Sequence, residues 1–120
     1  NLNNYSAVIR LVYGNTSFLL SGDAEEAVEQ QLIYSGQVLE ADLLKIGHHG
    51  SKSSSSEDFL TAVNPKIAVI SCALGNDYGH PDNIVLERLA KRDIKIYRTD
   101  KQGTISFSSD GKKILASKSY

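Results

Sequence analysis

The sequence predicts an α/β fold built on a mixed sheet with helices on one of its faces. Strand-like and helical segments alternate through the middle of the chain, the order expected of parallel strands joined by crossover helices. Residues 67–73 form an almost continuous apolar run, which is typical of a central strand covered on both faces. Two earlier strand-like segments end at Ser21 and Ile46, and each leads into a polar loop and then a helical pattern.

The first third of the chain predicts a hairpin followed by a helix. Residues 5–13 alternate like a strand, residues 14–16 have the composition of a turn, and residues 17–21 form the returning strand. After Asp23, apolar residues recur at helical spacing through Leu32, and Gly36 ends this pattern.

The remaining elements follow from the same signals. Ser56 is a helix N-cap candidate, Asn64-Pro65 ends that helix, and Pro81 suits the first turn of the next one. The predicted strands lie at residues 41–46, 67–73, 95–98, 104–108 and 112–116, and the predicted helices span residues 56–63 and 81–90. No repeat or linker divides the sequence, so residues 1–120 are expected to form one partial domain.

Composition excludes several classes of protein. The 120 residues are 41% hydrophobic and 22% charged, which is ordinary for a folded soluble domain. The net charge of −1 gives no general attraction to nucleic acid or anionic lipid, so any nucleic-acid contact needs a local site. The single Cys72 cannot form an internal disulfide, and no apolar run is long enough to span a membrane.

Chemically versatile side chains follow three successive strands of the predicted sheet. Asp23 follows the first, His48 and His49 follow the second, and Asn76, Tyr78 and His80 follow the third, as the sequence shows. Because the carboxyl ends of parallel strands meet at one edge of a sheet, these side chains are expected to converge. One carboxylate with up to three imidazoles is ligand chemistry for Zn²⁺, Mn²⁺ or Fe²⁺.

Each of these residues also has a structural interpretation. Asp23 can cap the following helix, with Glu26 completing a capping box, and His80 can cap the helix that begins near Pro81. His48 and His49 can be ordinary loop residues, and Cys72 reads as a core residue. The serine run at residues 53–56 suits a solvated loop, although hydroxyl and NH groups after Gly50 could also hold an anion.

Four sequence blocks together carry a family resemblance. They are Asn3-Asn-Tyr-Ser-Ala-Val-Ile-Arg-Leu11, Phe18-Leu-Leu-Ser-Gly-Asp23, Asp42-Leu-Leu-Lys-Ile-Gly-His-His-Gly-Ser51 and Asn76-Asp-Tyr-Gly-His-Pro81. Their order and spacing resemble the metallo-β-lactamase-like domain of the ComEC family of bacterial DNA-internalisation competence proteins. The resemblance extends to about Gly103 and implies an αββα sandwich, of which this chain looks like the C-terminal half.

The resemblance also implies a centre of two divalent metals, Zn or Mn, and roles for individual residues. Asp23 matches the aspartate that bridges the metals, and the pair His48-His49 matches a later histidine ligand, without deciding which of the two binds. The other histidine of the pair would contact the scissile phosphate or the leaving group. His80 is a candidate for substrate contact or for orienting a ligand, and Ser51, Asn76 and Tyr78 are candidates for contact with substrate or phosphate.

The sequence departs from the superfamily pattern at two places. The main metal motif, His-x-His-x-Asp-His, is absent from these residues, and the segment at Ser6 lacks a histidine that superfamily members often carry there. The chain alone is therefore expected to bind metal weakly or not at all and to be inactive. It is also expected to expose an apolar sheet face, which could pair with a second copy.

The function expected from the resemblance is phosphodiester hydrolysis of DNA by a metal-bound hydroxide in the intact domain of a DNA-uptake protein. The alternatives are a non-catalytic module that binds DNA or a partner, and a free-standing metallo-hydrolase of another phosphoester. The resemblance places the parent protein, with its membrane segments, in the bacterial cytoplasmic membrane, and this domain on the extracytoplasmic side. DNA and the rest of the parent chain are the expected partners.

Overall fold

A computed structural model of the chain describes residues 2–118. A short 3₁₀ turn lies at Leu2–Tyr5, and Gly47–Gly50 forms a tight turn in which His48 and His49 have positive φ angles of 50° and 57°. The strands and helices, in chain order, are β1 (Ile9–Tyr13), β2 (Thr16–Leu20), α1 (Glu26–Tyr34), β3 (Leu43–Lys45), α2 (Glu57–Val63), β4 (Ile67–Ile70), α3 (Asn83–Lys91), β5 (Lys95–Arg98), α4 (Thr99–Gln102), β6 (Ile105–Ser109) and β7 (Ile114–Lys118).

The main sheet has five strands in the order β1-β2-β3-β4-β5. The β1 and β2 strands form an antiparallel hairpin, whereas β2, β3, β4 and β5 run parallel to one another, so the sheet is mixed as predicted. The register pairs Leu20 with Lys45 and Lys45 with Val69. The carboxyl ends of β2, β3 and β4 therefore lie side by side, and the loops that follow them share one edge of the sheet.

The hydrophobic core lies between one face of the sheet and the helices. Because side chains alternate between the faces of a strand, Leu19, Leu44 and Ile46 point to this side and are almost fully buried. The facing helices contribute Phe59 and Leu60 from α2 and Val85 and Leu89 from α3 to the same cluster, as the core composition shows. This layer fixes the strand ends, and with them the loops of the candidate site.

The opposite face of the sheet, here called the open face, is apolar and partly exposed. A groove of about 390 Å³ on it is lined by Leu11, Phe18, Leu20, Leu43, Lys45, Val69 and Phe107. The antiparallel pair β6-β7 covers one part of this face, where the ring of Phe107 packs edge-on against Tyr97 at 5.2 Å between centroids. Leu11 remains 55% exposed, which confirms the exposed apolar surface expected from the sequence.

Every strand and helix predicted from the sequence is present, but several boundaries differ. The first strand begins at Ile9, because Leu2–Tyr5 forms a 3₁₀ turn. The third helix begins at Asn83 with the Asp82 side chain as its N-cap, so Pro81 lies before the helix and His80 does not cap it. No helix within residues 2–118 has the length and apolar character needed to cross a membrane.

Candidate metal and active site

The three loops at the carboxyl ends of β2, β3 and β4 enclose a shallow cavity of about 260 Å³. Its lining consists of Asp23, His48, His49, Tyr78 and His80. These residues come from three separate segments, and the parallel strands bring them together. The convergence predicted from the strand ends is therefore found in the structure.

Asp23 is held by its backbone, which leaves its carboxylate at the cavity. Its backbone NH donates to Ser6 Oγ at 3.3 Å, and the carbonyl of the preceding Gly22 accepts the backbone NH of His48 at 3.0 Å. The helix α1 begins only at Glu26, so the interpretation of Asp23 as its N-cap with Glu26 in a capping box is wrong. Ser6, at the segment where the resemblance expects a histidine, instead anchors the Asp23 backbone.

A hydrogen bond to the backbone fixes the tautomer of His49. Its Nδ1 lies 2.7 Å from the carbonyl oxygen of Ser71 at the end of β4. A carbonyl oxygen only accepts hydrogen bonds, so Nδ1 carries a hydrogen, and in the neutral ring Nε2 presents its lone pair. His49 is thus prepared to act as a ligand through Nε2, with the type of backbone support that metal-binding histidines usually have.

The lone pair of His49 faces an oxygen of Asp23. The distance between His49 Nε2 and Asp23 Oδ1 is 3.5 Å, and the two side chains are 50% and 43% exposed. Two acceptor atoms this close need a positive charge between them, either a proton on Nε2 or a bound cation. Two ligand atoms bound at about 2.1 Å in tetrahedral geometry lie about 3.4 Å apart. The pair therefore fits a shared divalent cation.

Asp23 and His49 are only two ligands, and two ligands make an incomplete metal site. Within residues 2–118, no group of three or more His, Cys, Asp or Glu side chains is arranged to hold a metal ion. A stable Zn²⁺ site needs at least three protein ligands, so the described residues are expected to bind metal weakly.

His48 differs from His49 in what orients it. Its Nδ1 lies 3.3 Å from Ser53 Oγ, which in turn lies 2.9 Å from Ser51 Oγ. A hydroxyl can donate or accept, so this contact leaves the tautomer of His48 free to change. Ser51 itself is buried and lies behind His48, outside the residues that line the cavity.

The middle of the serine run is buried and the run packs against the carboxylate of Glu29, so its interpretation as a solvated loop is wrong. Ser54 and Ser55 are each 1% exposed, and the backbone NH groups of Ser55 and Ser56 donate to the buried carboxylate of Glu29. Those two NH groups are therefore not available to a phosphate. Burial raises the pKa of Glu29, an effect that these hydrogen bonds partly offset.

Asn76 shapes the loop that carries Tyr78 and His80. Its Nδ2 donates to the carbonyls of Ala73 and His80, at 3.0 Å and 2.6 Å, while its Oδ1 accepts the backbone NH groups of Tyr78 and His80, both at 3.1 Å. The polar atoms of Asn76 are thus occupied within the loop. These four hydrogen bonds fix the backbone of the loop so that the rings of Tyr78 and His80 lie over the cavity.

His80 completes a cluster of three imidazoles. Its ring centroid lies 5.7 Å from that of His48 and 5.7 Å from that of Tyr78, on which it stacks at 24°. Desolvation lowers the pKa of His80, and the neighbouring His48 and His49 lower it further. His80 is therefore mainly neutral at neutral pH.

Lys45 is a neighbour of the site that the sequence analysis missed. Its Nζ donates to the carbonyl of Ile46 at 3.0 Å, and its side chain lines the groove of the open face. Burial lowers the pKa of Lys45, and the nearby Asp23 carboxylate raises it in part. The alternation of the strand Leu43–Lys45 places Leu44 in the core and Lys45 on the other face, which is the signal that could have identified it.

Comparisons with known proteins identify a family and several relatives of this chain. The family model described as the metallo-beta-lactamase superfamily matches residues 2–73, which include Asp23, His48 and His49. The ComE operon protein 3 of Bacillus subtilis (strain 168) is 42% identical over 105 residues, or 88% of this chain. The Competence protein ComA of Neisseria gonorrhoeae is 41% identical over 107 residues, also 88% of the chain.

A third relative, the Recombination protein 2 of Haemophilus influenzae, is 39% identical over 103 residues, or 86% of this chain. The matched region is 14%, 15% and 13% of the lengths of these three proteins, in the order given. The chain thus corresponds to a small part of each.

Proposed function

Because this chain belongs to the metallo-beta-lactamase superfamily and resembles competence proteins of the ComEC family, we propose that it forms part of the active site of a metal-dependent phosphodiesterase acting on DNA in a bacterial DNA-uptake protein. One observation carries the proposal: His49 Nε2, with its tautomer fixed by Ser71, lies 3.5 Å from Asp23 Oδ1 at an exposed cavity.

In this proposal Asp23 and His49 are the two metal ligands that the chain supplies. His49 is preferred to His48 because its Nδ1 hydrogen is bound by a carbonyl, which leaves Nε2 as an acceptor. The partner of His48 Nδ1 is a hydroxyl, which sets no such constraint. The choice between the two histidines, which sequence alone left open, thus rests on the partner of each Nδ1.

The remaining residues bind and orient the substrate. His48, on the cavity wall, would contact the scissile phosphate, and His80, neutral at neutral pH, would donate a hydrogen bond to the phosphate or to the leaving oxygen. Divalent ions, Zn²⁺ or Mn²⁺, would supply the charge that activates water and offsets the charge of the phosphate. With a net charge of −1, the chain itself provides no general attraction to DNA.

The experiment uses the native polypeptide that carries this chain, with Mn²⁺ or Zn²⁺ and linear DNA. Asp23→Asn and His49→Ala are expected to lower cleavage by at least about 100-fold, because the loss of ligand-orienting groups alone costs 10- to 100-fold. His48→Ala should retain metal binding, measured by titration with Mn²⁺, while it lowers cleavage.

Asp93→Asn is the matched control, because Asp93 lies at the end of α3 with a φ of 55°, a conformation that asparagine adopts readily. Equal cleavage by all of these variants would contradict the proposal. Equal metal binding by wild type and His49→Ala would contradict the assignment of His49 as a ligand.

A second candidate function is a non-catalytic module that binds DNA or a partner protein. It is favoured by Ser6, which stands where the resemblance expects a histidine, and by the absence of a three-ligand group in residues 2–118. Binding of DNA by wild type and Asp23→Asn alike, without cleavage by either, would support it. A free-standing hydrolase of another phosphoester would instead cleave a small phosphodiester such as bis(p-nitrophenyl) phosphate and leave DNA intact.

The relatives also motivate a proposal about location and partners. We propose that the parent protein lies in the bacterial cytoplasmic membrane and that this domain lies outside the cytoplasm, where it would meet incoming DNA. Digestion of this region by a protease added to spheroplasts would support that orientation, and protection of the region until the cells are lysed would oppose it.

The open face motivates a proposal about self-association. As an isolated chain, the protein would pair with a second copy through the exposed apolar side chains of this face, among them Ile9, Leu11 and Leu20, because burying them removes apolar surface from water.

A further inference from the structure

A second cavity adjoins the candidate metal site and differs from it in chemistry. Its volume is about 190 Å³, and His49, Cys72, Ala73, Asn76, Tyr78 and His80 line it. Three of these residues, His49, Tyr78 and His80, also line the cavity that contains Asp23. A ligand in the second cavity therefore lies directly beside anything held between Asp23 and His49.

Several of the polar atoms around this second cavity are occupied within the protein. Both side-chain polar atoms of Asn76 bind the loop backbone, and the Nδ1 of His49 binds the carbonyl of Ser71. The backbone NH and carbonyl of Cys72 both bind the hydroxyl of Thr99, at 2.9 Å each. The exposed wall of the cavity is almost entirely apolar and consists mainly of ring faces, which suits a flat group bound by stacking.

Tyr78 presents an aromatic face to solvent at the rim of this cavity. Its side chain is 82% exposed, and in the described part of the chain its hydroxyl has no hydrogen-bond partner, while its ring stacks on His80. The four hydrogen bonds of Asn76 fix the loop backbone that carries Tyr78, and the stack on His80 orients its ring. A rigid, exposed aromatic ring beside a phosphate site is how proteins bind single-stranded nucleic acid without reading its sequence.

We propose that this second cavity binds an unpaired nucleobase, stacked on Tyr78, of the nucleotide whose phosphate lies at the Asp23–His49 pair. The inference rests on the proposed function and adds to it that the substrate is a single strand or a frayed end, because both faces of a base within a duplex are already covered by its neighbours. Binding through ring faces predicts cleavage with little sequence preference.

The test separates base stacking from cleavage by two measurements on the native polypeptide that carries this chain. The first is the quenching of 2-aminopurine fluorescence in a single-stranded oligonucleotide, measured in EDTA so that nothing is cleaved. The second is cleavage, with Mn²⁺, of the ordinary oligonucleotide and of one with an abasic site next to the scissile phosphate.

The variants are Tyr78→Ala and Tyr78→Phe, which keeps the ring and removes the hydroxyl. Tyr34→Ala is the matched control, because Tyr34 is an equally exposed tyrosine, 85%, at the end of α1 and outside both cavities. Both tyrosines are exposed, and within residues 2–118 neither side chain makes a hydrogen bond, so the fold is expected to survive each of the three changes. We expect Tyr78→Ala to weaken oligonucleotide binding by about 5- to 150-fold and to abolish the quenching, whereas Tyr78→Phe retains the quenching because it keeps the ring, and Tyr34→Ala behaves like wild type.

Cleavage adds a second criterion. Wild type should cleave the ordinary oligonucleotide faster than the abasic one, and Tyr78→Ala should cleave both at the same rate. Equal quenching by wild type and Tyr78→Ala, or no quenching by either, would overturn the inference. Tyr78-dependent quenching without cleavage of any oligonucleotide would support the inference and reject the proposed phosphodiesterase activity.

Discussion

The carbonyl of Ser71 determines which nitrogen of His49 meets Asp23. It accepts the Nδ1 hydrogen at 2.7 Å, so the lone pair on Nε2 faces a carboxylate oxygen 3.5 Å away. Ser71 belongs to the segment after β4, and His49 to the loop after β3, so the contact depends on the pairing of two parallel strands. This hydrogen bond from Nδ1 to the Ser71 carbonyl thus leaves Nε2 of His49 available as a candidate metal ligand.

Glu29 is a second residue whose surroundings have a measurable effect, in this case on the stability of the fold. It is 1% exposed, and its carboxylate accepts hydrogen bonds from the backbone NH groups of Ser55 and Ser56. These two serines directly precede α2. Because its pKa is raised above the ordinary value of 4.5, the folded chain holds a proton on Glu29 more tightly than the unfolded chain does.

We expect the variant Glu29→Gln to reveal this linkage. The free energy of unfolding of wild type, minus that of Glu29→Gln, should increase as pH falls through the raised pKa of Glu29 and become constant below about pH 4.5, the ordinary value. At neutral pH the variant should lose about 1 kcal/mol, because an amide can accept only one of the two backbone NH groups. Urea unfolding at several pH values measures the difference, and a difference independent of pH would contradict the raised pKa.

Two loops of the site are held together by a close contact between Gly50 and Pro81. The carbonyl of Gly50 accepts the backbone NH of Asp82 at 2.9 Å, and Gly50 has a φ of 85°, which side chains other than glycine rarely adopt. A Cβ at this position would lie 2.6 Å from Pro81 Cβ and 2.9 Å from Pro81 Cα. The loop that carries His48 and His49 can therefore approach the Gly-His-Pro segment only because residue 50 lacks a side chain.

We expect Gly50→Ala to destabilise the chain by about 3 kcal/mol, of which about 1 kcal/mol comes from the backbone conformation and the rest from overpacking against Pro81. Gly75→Ala is the control, because Gly75 has a φ of 67° but no atom within 4 Å of the added Cβ, so it should lose only the conformational part. Urea unfolding compares the two, and equal losses would show that the contact with Pro81 does not limit this position.

The whole molecule has two unlike sheet faces. One is covered by α1, α2 and α3 and forms the core, and the other carries apolar side chains that β6-β7 covers only in part. Large apolar surfaces that remain exposed are typical of sites that pack against another surface. The metallo-beta-lactamase superfamily match and the mixed sheet agree with an α/β layer of this kind.

For the isolated 120-residue chain, we expect concentration-dependent self-association through the open face. Leu11→Lys, at a position that is 55% exposed on this face, should weaken it by about tenfold, because a leucine side chain loses at least about 1.5 kcal/mol of burial. Val38→Lys is the matched control, since Val38 is 67% exposed in the loop after α1. Sedimentation velocity measures the association, and a monomer at all concentrations, or equal effects of both changes, would contradict the expectation.

The sequence by itself determined the order of the strands and helices, the convergence of Asp23, His48, His49 and His80, and the family. These features depend on hydrophobic periodicity, on where strands end and on short motifs, all of which can be recognised from neighbouring residues in the sequence. Only the tertiary structure decided that Nε2 of His49 lies 3.5 Å from Asp23, that Asp23 does not cap α1, that Ser54 and Ser55 are buried near Glu29 and that Lys45 lies beside the site. Each of these outcomes depends on contacts between residues that are distant in the sequence, or on which face of a strand a side chain occupies after the strands pair, and local sequence carries no direct signal of either.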